Sequence, residues 1–185
     1  MGDISMRIGI AGTGGIGSNT AVHLVRSGVK ELKFGDFDII EESNLNRQFY
    51  FKDQVGKYKA EMLYENLKRI NPDGDFQYSI IKFERENIKE FFKDCDIVIE
   101  GFDKKEYKSM LVEELYPLGK LIISASGIAS HDCEGIRVEE AGKNLYIVGD
   151  FQKDISKYKT YSHKVAVISA LMAEIALKRG GYIEE

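Results

Sequence analysis

Apolar and polar positions along this chain switch repeatedly between a strand-like run and a helical period. Residues 7–11, RIGIA, are a short apolar run that stops at glycine. From Ile16 to Ser27 the apolar positions follow helical spacing, and Gly28 is a natural stop. KELKF (30–34) predicts a second strand. In GKYKAEMLYENLKRINP (56–72), Ala60, Leu63, Leu67 and Ile70 share one helix face, and Asn71-Pro72 ends it. FQYSIIKF (76–83) predicts a strand, NIKEFFKD (87–94) a short helix and CDIVIE (95–100) a strand with a buried centre. KKEYKSMLVEELYPLG (104–119) predicts a helix with its stop, and KLIISAS (120–126) another strand. GIRVEE (135–140) and NLYIVG (144–149) predict an antiparallel pair around Ala141-Gly142-Lys143. A polar loop over 150–162 leads into a final helix from about His163.

Strands that alternate with helices imply parallel βαβ units. The predicted fold class is α/β: a doubly wound, mostly parallel Rossmann-like sheet with helices on both faces and antiparallel late strands. Neither an internal repeat nor a Pro/Gly/Ser linker interrupts the 185 residues, so one domain over 1–185 is expected.

Composition changes this picture little, but it narrows the function. A chain that is 43% hydrophobic and 30% charged is ordinary for a soluble globular protein. The net charge of −4 argues against bulk nucleic-acid binding, which needs a basic surface to neutralise phosphates. A local basic pocket stays open. The two cysteines, Cys95 and Cys133, are too few for a disulfide scaffold and form no CxxC pair, so no zinc is expected. Cytosolic thiols and a cytoplasmic location are the simplest expectation. No secretory signal is expected at the N-terminus. The most apolar segment, VAVISALMAEIAL (165–177), is shorter than the ~20 residues of a membrane span and contains Glu174, so a buried core helix and no membrane partner are expected.

The first candidate chemistry is AGTGGIGSN (11–19), between the first strand and the first helix. Gly12, Gly14 and Gly17 fit GxGxxG, with Gly15 as an extra glycine. Glycine permits the tight turn and close backbone approach, and the helix N-terminus offers free N–H groups to phosphate. The loop points to a nucleotide without saying which.

GDFDIIEESNLNRQF (35–49) narrows the choice. Asp36, at the end of the second strand, can accept hydrogen bonds from ribose hydroxyls of NAD or ATP. Arg47 adds a bidentate phosphate donor, Asn44 a neutral donor and acceptor on the same turn, and Lys59 a point charge on the next helix. NAD's pyrophosphate is largely satisfied by a glycine loop, whereas ATP's triphosphate needs added cations. Asp103, just past CDIVIE, lies where open α/β sheets bind ligands and can hold hydrated Mg2+. Its alternative role is a helix N-cap before KKEYK.

These residues resemble the ThiF/MoeB family, relatives of the ubiquitin-activating enzymes. The matching pieces are GTGGIGS, DFDIIEESNLNRQF, VGKYKAE and the FD at 102–103, and the resemblance runs from about residue 7 to residue 177. It is strongest to the compact ThiF-like sulfur carrier adenylyltransferases of thiamine biosynthesis. It implies adenylation of the C-terminal glycine of a small ubiquitin-fold sulfur carrier protein, with ATP consumed and pyrophosphate released. It assigns Asp36 to ribose, Asn44, Arg47 and Lys59 to phosphates, and Asp103 to magnesium. By resemblance alone, Asp38 holds the loop that carries Asn44 and Arg47. A homodimer and a partner with a Gly-Gly tail are also implied.

The chain departs from longer relatives. It begins close to its first strand, so the N-terminal helix that sends an arginine into the partner subunit's site is expected to be absent. Zinc cysteines are lacking. Lys104 replaces the usual asparagine after the aspartate, Lys108 replaces a usual arginine, and the 150–162 loop has no sulfur-transfer cysteine. In that loop Lys157, Tyr158, Lys159 and Tyr161 are expected to dock the carrier. Cys133, between His131 and Glu134, is read as a loop cysteine before a relay thiol, Cys95 as core, and His163 as a helix-start residue or a contact to the tail.

Three competing readings stand beside adenylation of a ThiS-like carrier. One is an NAD-dependent dehydrogenase, which leaves Arg47, Lys59 and Asp103 unused. Another is a non-catalytic module that binds nucleotide or carrier. The last keeps the chemistry but changes the acceptor to a molybdopterin carrier or a modified tRNA base.

Overall fold

A computed structural model describes residues 6–183. Its strands are β1 (Ile8–Ala11), β2 (Glu31–Asp36), β3 (Asp75–Ile80), β4 (Ile97–Glu100), β5 (Leu121–Ala125), β6 (Arg137–Gly142) and β7 (Leu145–Gly149). Its α-helices are α1 (Gly15–Arg26), α2 (Lys59–Ile70), α3 (Arg85–Phe91), α4 (Lys105–Leu115) and α5 (Ser162–Arg179). The strands form one sheet in the order β3-β2-β1-β4-β5-β7-β6. All neighbours run parallel except β6, which pairs antiparallel with β7 at the edge. The expected fold class is therefore the observed one.

Apart from Glu100 at the end of β4 and Ser124 in β5, the central strands are apolar because both faces are covered. Ile8 and Ile10 of β1 and Ile97 and Ile99 of β4 face the larger core, formed with α1, α2 and α5. Ala11 and Val98 face the other way, toward Phe83, Ile88 and Phe92 and the α4 residues Met110, Leu111 and Leu115. Burying each such aliphatic side chain contributes about 1.5–3 kcal/mol. No helix among the described residues is long and apolar enough to cross a membrane.

Two of the boundaries that differ from the sequence pattern have a tertiary reason. β3 stops at Ile80 because its partner β2 ends at Asp36, opposite Ile80. Phe83, predicted in the strand, instead turns into the smaller core and is buried there. The late hairpin turns at Lys143-Asn144, and an irregularity between Glu140 and Gly142 takes up Ala141. Asn144 Nδ2 donates to Gly119 O at 3.0 Å, tying this turn to the end of the α4 segment.

The order in which strands are added reverses between β1 and β4: β2 and β3 lie to one side, β4 and β5 to the other. The segments that follow β1 and β4 leave the sheet there, and a crevice opens above the strand ends, the usual ligand position in a doubly wound sheet.

Candidate functional site

The crevice measures about 520 Å³ and brings most of the singled-out residues together. Gly12, Gly14, Gly15, Asp36, Asp38, Arg47, Lys59 and Asp103 all line it. Arginine, lysine and aspartate thus come from three separate segments to one opening over the glycine turn. Gly17 and Asn44 are not among its lining residues.

The glycine loop is shaped by contact as well as by torsion. Gly12 has φ +84°, which L side chains rarely adopt. Gly17 is required for packing: a Cβ there would sit 1.9 Å from Gly12 O. At the start of α1 no side chain caps the helix and no acidic residue stands in its first turn. The first-turn N–H groups therefore lack a side-chain acceptor, an arrangement suited to phosphate.

Asp36 is more occupied than the sequence suggested. It is 8% exposed. Its Oδ2 accepts hydrogen bonds from Thr13 N at 2.6 Å and Thr13 Oγ1 at 3.1 Å, and its Oδ1 accepts from Asp38 N at 2.9 Å. Burial pushes its carboxyl above the ordinary carboxylate value, while the N–H donors of Asp38 and Thr13 and the Lys59 charge pull it back. Asp36 clamps the glycine loop from below. Thr13, fully buried, is a site residue that sequence reasoning missed; its only signal was its place inside the glycine loop.

Lys59, at the first position of α2, pairs with Asp38 Oδ2 at 2.9 Å and is 7% exposed. Tyr50 Oη lies 2.7 Å from Thr13 O and 3.2 Å from Lys59 O, so one phenol spans the glycine loop and the start of α2. Burial raises its pKa well above the usual phenol value, so it is a donor at any ordinary pH.

Arg47 reaches the crevice from a turn anchored on α1. Asn19 Nδ2 donates to Arg47 O at 2.8 Å and to Gly15 O at 2.7 Å, and Ser18 Oγ accepts from Phe49 N at 3.0 Å. The guanidinium Nη1 donates to Ser43 O at 3.1 Å and Asn46 Oδ1 at 2.8 Å. Asn44 builds the turn: its Oδ1 accepts from Glu41 N at 3.0 Å across the 3₁₀ segment Glu42–Asn44. The structure gives Asn44 a capping contact, not the open position expected of a phosphate ligand.

Asp103 is exposed and lies just before the Lys104 N-cap of α4, where no side chain caps the helix. The capping alternative therefore falls away. The turn that carries Asp103 rests on Glu100, fully buried at the end of β4. Glu100 Oε1 accepts from Phe102 N at 2.7 Å, and its Oε2 accepts from Lys108 Nζ at 2.8 Å and Ser124 Oγ at 2.6 Å. Lys108 is thus committed to Glu100. A charged residue ending a wholly apolar strand was the signal for Glu100, and sequence reasoning passed over it.

Gln48, also missed as a binding residue, lines the crevice beside Gly14. It is 9% exposed, and its Oε1 is buried with no hydrogen-bond partner among the described residues.

The late loop meets the crevice through Ile155 and Thr160. Lys157, Tyr158, Lys159 and Tyr161 are exposed and do not line it. Both ends of the loop are pinned by a buried ion pair, Lys164 Nζ to Asp150 Oδ2 at 2.5 Å, and Lys164 also donates to Ala129 O at 2.6 Å. His163 Nε2 lies 2.5 Å from His131 O, away from the crevice lining. Cys133 is exposed, while Cys95 is buried in the core, where burial pushes its thiol up to about 12. No cluster of three or more His, Cys, Asp or Glu residues suited to a metal ion occurs among the described residues.

The residues present fit a triphosphate. The uncapped helix start supplies N–H donors, and Arg47 and Lys59 supply charge. One exposed carboxylate, Asp103, fits the usual mode of magnesium binding, in which a protein carboxylate and substrate phosphates share the ion.

Residues 4–179 match the ThiF family. The adenylyltransferase and sulfurtransferase uba4 of Aspergillus clavatus is 34% identical over 125 residues, covering 67% of this chain and 25% of that protein. Its counterpart in Candida glabrata is 33% identical over 122 residues, 65% of this chain and 28% of that protein. The match thus spans about a quarter of the length of these relatives. Among solved structures, the E. coli tRNA N6-threonylcarbamoyladenosine dehydratase TcdA in complex with ATP superimposes with a TM-score of 0.88 at 20% identity, over 96% of this chain and 86% of that one. E. coli MccB with AMPCPP and MccA gives 0.77 at 23% identity, over 98% and 57%. At such identities these structures show a shared fold.

Proposed function

The chain belongs to the ThiF family, and from that membership we propose that it is an ATP-dependent adenylyltransferase. Its acceptor is the C-terminal glycine carboxylate of a small ubiquitin-fold sulfur carrier of the kind that serves thiamine synthesis. It works in the cytoplasm as a homodimer. The observation that carries this reading is the meeting of Arg47, Lys59 and Asp103 in one crevice over an uncapped glycine loop. A hydride-transfer enzyme would leave those three side chains without a role.

The reaction follows from charge. A carboxylate oxygen of the acceptor attacks the α-phosphorus of ATP. The bond from that phosphorus to the bridging oxygen breaks, pyrophosphate leaves, and an acyl-adenylate remains. The glycine loop and α1 N–H groups hold the phosphates in line with the attacking oxygen. Arg47 and Lys59 stabilise charge moving onto the leaving pyrophosphate. Asp36 keeps the glycine loop in shape and offers its free lone pairs to ribose. Magnesium held by Asp103 would supply further charge neutralisation on the phosphates. Ile155 and Thr160 place the late loop where it covers an extended acceptor tail.

A different acceptor is the second reading, favoured by the likeness in fold to an enzyme that acts on a modified tRNA base. The test is carrier-dependent pyrophosphate–ATP exchange, wild type beside Arg47→Ala and Asp103→Ala. Each substitution is expected to lower exchange about 10²-fold or more, the scale of losing one group that stabilises a transition state. Exchange that is unaffected by both would defeat the site assignment, and exchange supported by tRNA alone would move the acceptor.

A further inference from the structure

We propose that Lys104 is a further phosphate-binding cation of this site, kept there at the expense of its own helix's stability. The inference rests on the adenylation reading and adds a residue to it.

The charged residues that line the crevice are Arg47, Lys59, Lys104, Asp36, Asp38 and Asp103. The three cations differ in how far they are already engaged. Lys59 Nζ pairs with Asp38 Oδ2 at 2.9 Å, so part of its charge is matched before a nucleotide arrives. Arg47 Nη1 is engaged by Ser43 O and Asn46 Oδ1. The Lys104 side chain is exposed and has no ion-pair or hydrogen-bond partner among the described residues. Its turn packs on the glycine loop: Gly101 N donates to Ala11 O at 2.9 Å, and a Cβ on Gly12 would sit 3.1 Å from Gly101 O. A lysine that starts from this turn and lines the same opening has its charge beside a phosphate chain laid over the loop.

On structural grounds the position is a poor one for lysine. Lys104 is the N-cap of α4, and no side chain caps that helix. Ser, Thr, Asp or Asn there would accept from a first-turn N–H, whereas lysine has donors only. Its charge also stands at the positive end of the helix. The other lysines of this turn have carboxylate partners: Lys105 lies 3.9 Å from Asp154, and Lys108 lies 2.8 Å from Glu100. Lys104 alone among them faces the crevice. A partnerless cation at a place its helix disfavours marks a missing anion. The phosphate chain of ATP is that anion. With the ribose at Asp36 and the next phosphate on the glycine loop, the exposed amine of Lys104 is left for the phosphates that follow. There it stabilises the negative charge that grows as pyrophosphate departs.

The probes are AMP and the non-hydrolysable α,β-methylene analogue of ATP, titrated calorimetrically with magnesium present. Wild type is expected to bind the analogue about 10-fold or more tighter than AMP. Lys104→Asn is expected to lose about 10-fold in affinity for the analogue, the scale of one charge-assisted hydrogen bond, and to keep its affinity for AMP. The same variant is expected to melt about 2–4 °C higher, because asparagine caps the helix and removes the opposing charge. Lys104→Arg is expected to retain the preference for the analogue. Lys105→Gln removes the same unit of charge outside the crevice lining and is expected to bind both nucleotides as wild type does. Analogue affinity that is unchanged in Lys104→Asn, or lost equally in Lys105→Gln, overturns the phosphate contact and this inference alone. A melting temperature no higher than wild type's overturns the stated expense to the helix. A wild type that does not prefer the analogue to AMP takes the adenylation reading down as well.

Discussion

Lys59 Nζ sits 2.9 Å from Asp38 Oδ2, so the two acidic residues at and just past the end of β2 have different work. Asp36 clamps Thr13 and the glycine loop, while Asp38 holds the one buried cation at the start of α2. Asp38 is half exposed, so the pair is partly screened. Asp38→Ala is expected to cost about 1 kcal/mol of stability, read from the urea midpoint. Lys59→Met is expected to cut pyrophosphate exchange about 10²-fold while leaving the fold intact by circular dichroism. Full exchange in Lys59→Met would remove this lysine from the proposed chemistry.

Gly17 lies outside the crevice lining yet sets its shape. A methyl group there would overlap Gly12 O, a backbone atom with no room to yield. Gly17→Ala is expected to destabilise the protein by about 1–3 kcal/mol, the range for overpacking, and to weaken ATP binding by moving the loop. Thermal melts and ATP titration measure both effects, and an unchanged melt would show that α1 can shift without strain.

The late loop depends on a buried ion pair. Lys164 is fully buried in the first turn of α5, where the helix dipole disfavours a cation. Asp150 and the carbonyl of Ala129 compensate it. Burial alone would raise the Asp150 carboxyl, but the hydrogen bonds from Lys164 and from the N–H groups of Gln152 and Lys153, with the Lys164 charge, together outweigh it and hold it below the ordinary carboxylate value. Lys164→Met strands that carboxylate and is expected to cost about 3–5 kcal/mol. Lys164→Met combined with Asp150→Asn is expected to recover much of the loss, because the uncompensated charge is gone. Additive losses in the urea midpoints would mean the two residues act independently.

At the opposite end of the sheet, Asp94 accepts hydrogen bonds from Lys33 Nζ at 3.0 Å and Arg7 Nη1 at 2.5 Å. Burial alone would push its carboxyl up, but these partners outweigh it and hold it at about 2, below the ordinary 3.8. A depressed carboxyl favours the folded state when ionised. Its contribution is complete above the unfolded value and is lost as pH falls from about 4 toward 2. Asp94→Asn is expected to flatten that part of the acid unfolding curve, followed by urea midpoints at successive pH values. A curve parallel to wild type would assign the acid sensitivity elsewhere.

Much of this protein was decided locally. Alternating periods of apolar residues determined the order of strands and helices, because backbone hydrogen bonding and burial of one face act over a few residues at a time. The glycine loop, the acidic strand end and the Arg47 turn were legible for the same reason: each is a short stretch with its own conformational demand. Other features needed contacts between distant segments. Phe83 left its predicted strand because β2 ran out of length and the second core offered its ring a place. Asn44 turned inward to cap its own turn, and Asp36 was drawn to Thr13, a residue 23 positions away. Glu100 and Gln48 matter only through what folds around them: one finds three partners, the other buries its side-chain oxygen without one. Sequence by itself determined which polar and charged side chains were carried and on which elements. The tertiary structure alone decided which polar side chains already had partners and which reached the crevice, because that depends on neighbours brought together by the sheet.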